Sequence, residues 1–165
     1  METDYMKKNG IFSLVLANMM LVLLLSVLMI GKAGATTELV QWRTLKEGKN
    51  EARERNMPVL IDFYVEHNCP RCDALDREVY VNKYITNKIN EKFVPIRVNL
   101  NRELTPEEQA LMDKLKTGGE CVLAFLNADG TLIKDKNGAL ISSMEMIPPN
   151  KYNWFMDQAL AHINN

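Results

Sequence analysis

Charge of one sign, histidine and internal repeats are what this sequence lacks. Its 20 basic and 21 acidic side chains leave a formal charge of −1 and a pI near 6.1. Nothing here forms the basic face that a nucleic-acid partner would require. With two histidines and three cysteines, a four-coordinate zinc site around any cysteine pair would have to draw on nearly every remaining soft ligand. No repeat, low-complexity tract or long linker interrupts the chain, so a single domain is expected beyond the N-terminal segment. An apolar fraction of 47% beside 25% charged residues is ordinary for a globular protein and argues against disorder.

The apolar residues are concentrated at one end. Residues 11–30 read IFSLVLANMMLVLLLSVLMI, without a charge and with one amide, Asn18. About 20 apolar residues suffice to cross a bilayer as a helix. Lys7 and Lys8 precede the run and favour export of the chain beyond it. Ala33 and Ala35 supply the A-x-A spacing of a signal-peptidase site, although the apolar core of a signal peptide usually runs only about 7–15 residues. Two readings of residues 1–35 therefore stand, a cleaved signal peptide and an uncleaved membrane anchor. Both place residues 36–165 outside the cytoplasm, in the periplasm or its equivalent, where disulfides persist.

Within that domain, residues 39–43 are expected to form a short strand and residues 45–56 (LKEGKNEARERN) a polar surface helix. Residues 59–65 (VLIDFYV) have the make-up of a strand buried on both faces, apart from Asp62. Cys69-Pro70-Arg71-Cys72 then opens a helical stretch to about residue 90, with Leu75, Val79, Ile85 and Ile89 as its buried stripe and a break near Val81-Asn82. Pro70 suits a first helical turn, where its missing N–H costs nothing. Residues 93–100 predict a second strand, placed at an edge or a bulge by Pro95. Thr105, Pro106 and Glu108 form a capping-box start for a helix that should run to about Lys116 and end at Gly118-Gly119. Ala128-Asp129-Gly130 predicts a hairpin between residues 121–127 and 131–134. A last helix over residues 150–162 is expected to bury Trp154, Phe155 and Leu160. Strands joined by helices, then a hairpin, imply an α/β fold with a mixed central sheet flanked by helices.

The stretch PVLIDFYVEHNCPRCDALDREVY resembles the active-site segment of the thioredoxin superfamily. It is most similar to the periplasmic C-terminal domain of DsbD-type thiol:disulfide interchange proteins and related exported domains. NKINEKFVPIRVNLN and VLAFLNADGTLI look like the later strands of that group. The resemblance implies a thioredoxin-like fold from about residue 39 onward and a thiol–disulfide oxidoreductase activity on protein thiols, with a membrane-bound electron donor as one conceivable partner. It implies no cofactor.

Independently of the family, a C-x-x-C where a strand meets a helix favours a thiolate on the first sulfur through the free N–H groups and dipole of the helix start. Arg71 is expected to add a nearby positive charge. Cys69 is accordingly assigned as nucleophile and Cys72 as resolving thiol, with Pro70 and Arg71 at the surface that meets the substrate. A structural disulfide, half a zinc site, or an inactive site on an interaction module are the competing readings of the same pair. Asp62 resembles the buried acid that thioredoxins use for proton transfer to the resolving cysteine. The opposing reading leaves it at a wet strand edge. Between Asp62 and Cys69 the chain carries FYVEHN, one residue more than usual, with Asn68 in place of the usual tryptophan; Glu66 is a second acid in that stretch.

The largest departure concerns the third cysteine. The family places a cis-proline just before the strand that here reads VLAFLN, where its backbone pairs with a substrate peptide. Counting back from Asn127-Ala128-Asp129-Gly130, that position is Cys121, and no proline occurs between Pro106 and Pro148. A cis bond without proline costs about 2.5–4 kcal/mol, so the Glu120–Cys121 bond is expected to be trans. Glu120 and Cys121 remain the residues expected to face substrate. Should the loop stay close, three thiols would converge. They could then hold zinc, copper(I) or an iron–sulfur cluster, with His67 as a fourth ligand, or exchange disulfides among themselves. Cys121 can equally be read as a small buried hydrophobe.

Overall fold

The β-formers of residues 59–64 do make a strand, and it is the centre of the molecule. In the computed structural model, which describes residues 39–118 and 120–163, β1 (Val59–Tyr64) pairs in parallel with β2 (Val94–Asn99) and antiparallel with β3 (Val122–Leu126). A two-residue strand, β4 (Ser142–Ser143), completes the order β2-β1-β3-β4. The apolar run at residues 11–30, the Ala33/Ala35 spacing and Gly119 lie outside the described residues. Among those residues no helix is long and apolar enough to cross a membrane.

Among the described residues five α-helices flank the sheet: α1 (Leu45–Arg55), α2 (Pro70–Ala74), α3 (Lys83–Lys92), α4 (Pro106–Leu115) and α5 (Pro149–Ala161). The period-2 alternation of a strand divides the core in two. Val59, Ile61 and Phe63 join Val94, Ile96, Val98, Val122 and Ala124 beneath α1 and α4. Leu60 joins Leu123 and Phe125 on the other face, against Leu75 and Val79 after α2, Ile85 and Ile89 of α3, and Tyr152 and Met156 of α5. Asp62 shares the alternation of Leu60, so its side chain belongs to the face that carries the C-x-x-C helix.

Local signals set the helix boundaries. Thr44 and Thr105 each close a capping box, with Glu47 and Glu108 respectively. α2 runs directly into one π-helical turn, Leu75–Val79, where the Tyr80 N–H reaches back to the Leu75 carbonyl at 2.8 Å. Asn82 then caps α3 by accepting from the Tyr84 and Ile85 N–H groups. This is the break expected near Val81-Asn82, and the stripe Leu75, Val79, Ile85, Ile89 is buried throughout. Pro95 lies on the edge strand β2.

Four expectations need correction. Residues 39–43 contribute one isolated bridge, Arg43 to Ile96, rather than a strand. α4 does run to Lys116 as expected, but its stop is Lys116 itself, left-handed at φ 55°, rather than the glycines that follow. The turn at Ala128-Asp129-Gly130 forms, with Gly130 at φ +89°. Its return arm, however, makes only isolated bridges through Leu132 and Lys134, and β4 takes the place beside β3. In α5 the buried side is Tyr152, Met156 and Ala159, while Trp154 is 47% exposed and Phe155 and Leu160 only edge the core.

Gly48 marks where α1 is pressed onto the sheet. A Cβ there would run into Ile96, with Cδ1 at 2.6 Å. Ile96 is fully buried and has little room to yield. Gly48→Ala therefore pits a helix-propensity gain of about 1 kcal/mol against an overpacking cost of about 1–3 kcal/mol. Urea unfolding is expected to show a net loss of stability, and a gain would contradict the close packing described.

Candidate functional site

The site is built where β1 hands over to α2. Residues 66–68 form the bend, and Asn68 takes a left-handed conformation at φ 59°, which asparagine tolerates better than most residues. A polar asparagine at this spot thus has a backbone reason. Cys69 follows as the cap of α2, its Sγ accepting the Cys72 N–H at 3.1 Å, and Pro70 occupies the first turn. The structure holds Cys69 and Cys72 as a disulfide with their Cα atoms 5.2 Å apart. Cys69 keeps 8% of its surface exposed and Cys72 2%, so the first cysteine is the more open of a sheltered pair. Around it Glu66, His67, Asn68, Pro70 and Glu120 are exposed.

Cys121 comes to the same point from the far side. Its Sγ lies 3.6 Å from that of Cys69 and 3.4 Å from that of Cys72, and it is half-buried. The described residues contain no cis peptide bond, so the Glu120–Cys121 bond is trans as expected. Gly118, at φ +65°, and the Glu120 N–H on the Thr117 carbonyl at 3.3 Å shape the loop that carries it. His67 and His162 are not part of the sulfur group. The Glu66 N–H donates to Asn101, and the Glu66 carboxylate is held by Asn99 at 3.4 Å, away from the thiols.

Beneath the disulfide lies a charged cluster that was only half visible in the sequence. Asp62 is fully buried, which overturns the wet-edge reading. Its Oδ1 lies 3.4 Å from Arg71 Nη1 and its Oδ2 3.3 Å from Arg97 Nε. Arg71 is buried too, and its other terminal nitrogen donates to the Ser143 carbonyl at 3.4 Å. Arg71 was expected to add a positive charge near Cys69 and to face substrate; its guanidinium instead turns inward, because an unpaired carboxylate at this depth is far more costly than an unpaired arginine at the surface.

Arg97 is a residue that sequence reasoning missed. It stands directly beside Asp62 in the β1–β2 register, reaches Asp76 at 2.8 Å, and lies over the rings of Tyr64, Trp42 and Tyr80 at 4.0, 5.2 and 5.3 Å. A lone arginine in the apolar run FVPIRVNL, next to a strand with a lone aspartate, was the available signal. Burial pushes the Asp62 carboxyl above its ordinary range, and Arg71 and Arg97 offset part of that rise. For Arg97 burial works against the charge, but Asp62 and Asp76 outweigh it and hold the guanidinium protonated. Tyr152 donates to the Tyr80 hydroxyl at 3.2 Å, and burial raises both phenols, with Asp62 adding to the effect.

Comparison with known proteins bears on this geometry. No curated protein sequence matches the chain. Among solved structures, a DsbH oxidoreductase matches at 15% identity and a TM-score of 0.61, covering 80% of this chain and 92% of its own. A thioredoxin from Thermus thermophilus matches at 21% identity and 0.56, covering 74% and 88%. The reduced DsbD C-terminal domain of Neisseria meningitidis matches at 18% and 0.53, covering 69% and 93%. At these identities the likeness speaks for the fold. The family model for the thioredoxin-like domain matches residues 45–149, which span α1, the cysteine pair, Cys121 and the whole sheet. The chain belongs to the thioredoxin-like family.

Proposed function

We infer that the chain is a thiol–disulfide oxidoreductase that exchanges electrons with protein thiols through Cys69 and Cys72. The observation that carries this is the pair itself. Two cysteines one helical turn apart close a disulfide at the mouth of α2, and the first sulfur receives a backbone N–H from the second residue. That N–H favours the anionic form of Cys69 once the bond is open. In the reducing direction the Cys69 thiolate attacks a substrate disulfide, forms a mixed disulfide and releases one substrate thiolate. Cys72 then attacks the Cys69 sulfur, closing the intramolecular disulfide and releasing the second thiolate. Two electrons pass to the substrate, and the reverse sequence oxidises a dithiol.

The remaining roles are proposed on position. Pro70, Glu120 and Cys121 border the more exposed sulfur and form the surface a substrate peptide would meet. Arg71 borders it through its backbone alone, since its side chain is committed to Asp62. Asp62 is proposed as the buried carboxyl that takes up the proton of Cys72, which suits a group whose charged form is disfavoured by burial. Residues 1–35 are proposed to deliver the domain across a membrane, as a cleaved signal or a retained anchor. That would make the periplasm or an equivalent space its place of action, and a membrane-bound donor a fitting source of electrons.

Two experiments test this reading. Cys69→Ser is expected to bring insulin reduction down to the uncatalysed rate. Cys72→Ser is expected to accumulate a mixed disulfide on Cys69, visible as a mass increase equal to the substrate thiol less two hydrogens. Undiminished turnover in Cys69→Ser would overturn the assignment. The Asp62 proposal is tested by urea unfolding of the wild type and Asp62→Asn across pH. Because the folded carboxyl titrates above the unfolded one, wild-type stability from this group is present at low pH and is lost as pH rises from the ordinary carboxylate range, about 4, through the raised value. The stability of Asp62→Asn relative to wild type should therefore climb over that window. A flat or falling difference would mean that the two arginines, not burial, govern Asp62.

A further inference from the structure

The third sulfur has no part in the exchange just described, and its position says why. A thiol attacking a disulfide approaches in line with the bond, so it stands about 2 Å farther from the leaving sulfur than from the one it attacks. Cys121 is instead nearly equidistant from the two, at 3.4 and 3.6 Å. It lies beside the bond, as the third corner of a triangle of sulfurs. That disposition is poor for attack and good for shared coordination.

We propose that, when the Cys69–Cys72 bond is reduced, the chain holds one Cu(I) ion between the sulfurs of Cys69, Cys72 and Cys121. Thiolate bonds of about 2.3 Å to an ion in the plane of three sulfurs set those sulfurs about 4 Å apart. All three Sγ atoms already lie within 4.8 Å of one another. Opening the disulfide lengthens the one short edge of the triangle, and the other two need to widen by only a few tenths of an ångström.

The donor count selects the ion. Among the described residues the group contains these three cysteines and nothing else, with His67 outside it. Structural zinc is almost always four-coordinate, and a cubane or rhombic iron–sulfur cluster takes four protein ligands. Cu(I) is soft, binds thiolates in preference to oxygen or nitrogen donors, and is satisfied by three of them. The burial of Cys69 and Cys72 would shield the ion from water, while half-buried Cys121 leaves a way in. The Cys72 N–H on Cys69 Sγ orients one ligand without itself touching the ion.

The chemistry balances through the disulfide. A dithiol reductant gives two electrons and two protons to the Cys69–Cys72 bond and leaves as its own disulfide. Cu(I) then replaces the thiol protons, which pass to solvent. Disulfide and copper are alternative states of the same sulfurs, so oxidation of the pair expels the ion. The proposal rests on the pair being reducible in the folded chain, as the oxidoreductase reading also requires.

The test is an anaerobic titration of the full-length chain, reduced with dithiothreitol and desalted, with the acetonitrile complex of Cu(I) against a chromogenic Cu(I) chelator. The expected result is one ion per reduced chain and none per oxidised chain. Loss of a residue that merely supports a ligand typically weakens a metal site about 10–100-fold, so Cys121→Ser and Cys121→Ala should each lose affinity by about 100-fold or more. Circular dichroism melts establish that both variants are folded; if one is not, the other decides. Wild-type affinity in a folded Cys121 variant, no binding by the reduced chain, or displacement of Cu(I) by equimolar zinc would overturn the proposal. Insulin reduction, measured alongside, separates the two readings. Turnover without copper binding sinks only this proposal, and copper binding without turnover sinks only the oxidoreductase.

Discussion

A carboxylate buried in the middle of the central strand has to find positive charge, and much of this molecule is arranged around that requirement. Asp62 finds it twice, in Arg97 from the neighbouring strand and Arg71 from the helix above. The first contact holds β1 and β2 in register, and the second ties α2 to the sheet. An ion pair of this kind is weak evidence for stability, since replacing all its members by apolar residues can be neutral or better. What it does secure is position. With Arg71 drawn down onto Asp62 and Ser143, the turn that carries Cys69 and Cys72 is fixed from below.

The same contact changes the electrostatics of the sulfur pair. An arginine between two cysteines is easily read as a charge that stabilises the thiolate. Here its guanidinium contacts Asp62, and the hydrogen bond that Cys69 Sγ receives comes from the backbone, from the Cys72 N–H at 3.1 Å. A difference of about 1.4 kcal/mol in thiolate stabilisation is worth about 30 mV, so a single hydrogen bond of this kind matters to the direction of electron flow.

Much of the fold could be read from residues. The capping box at Thr105, the break at Asn82 and the edge placement of Pro95 follow from local rules that hold wherever they occur, whereas Cys121 was brought near the pair only by the family resemblance and on condition that its loop stayed close. The failures came where tertiary packing decides. Trp154 and Phe155 carry more apolar area than Tyr152 and Ala159, but the face of α5 that meets the sheet is set by the 152, 156, 159 spacing. Lys116 took the left-handed stop ahead of the glycines. Arg71 looked like a surface residue because the sequence does not show how α2 is rotated over β1. Arg97 was overlooked because each strand was read alone, whereas its meaning lies in standing opposite Asp62.

The central claim is that Cys69 and Cys72 form an exchangeable bond rather than a structural one. Equilibrating the chain across a series of glutathione redox buffers, with acid quenching, alkylation and mass analysis, measures that directly while circular dichroism follows the fold. An exchangeable pair predicts a reversible two-electron transition within a chain that stays folded throughout. A bond that remains closed until the protein itself unfolds would contradict it.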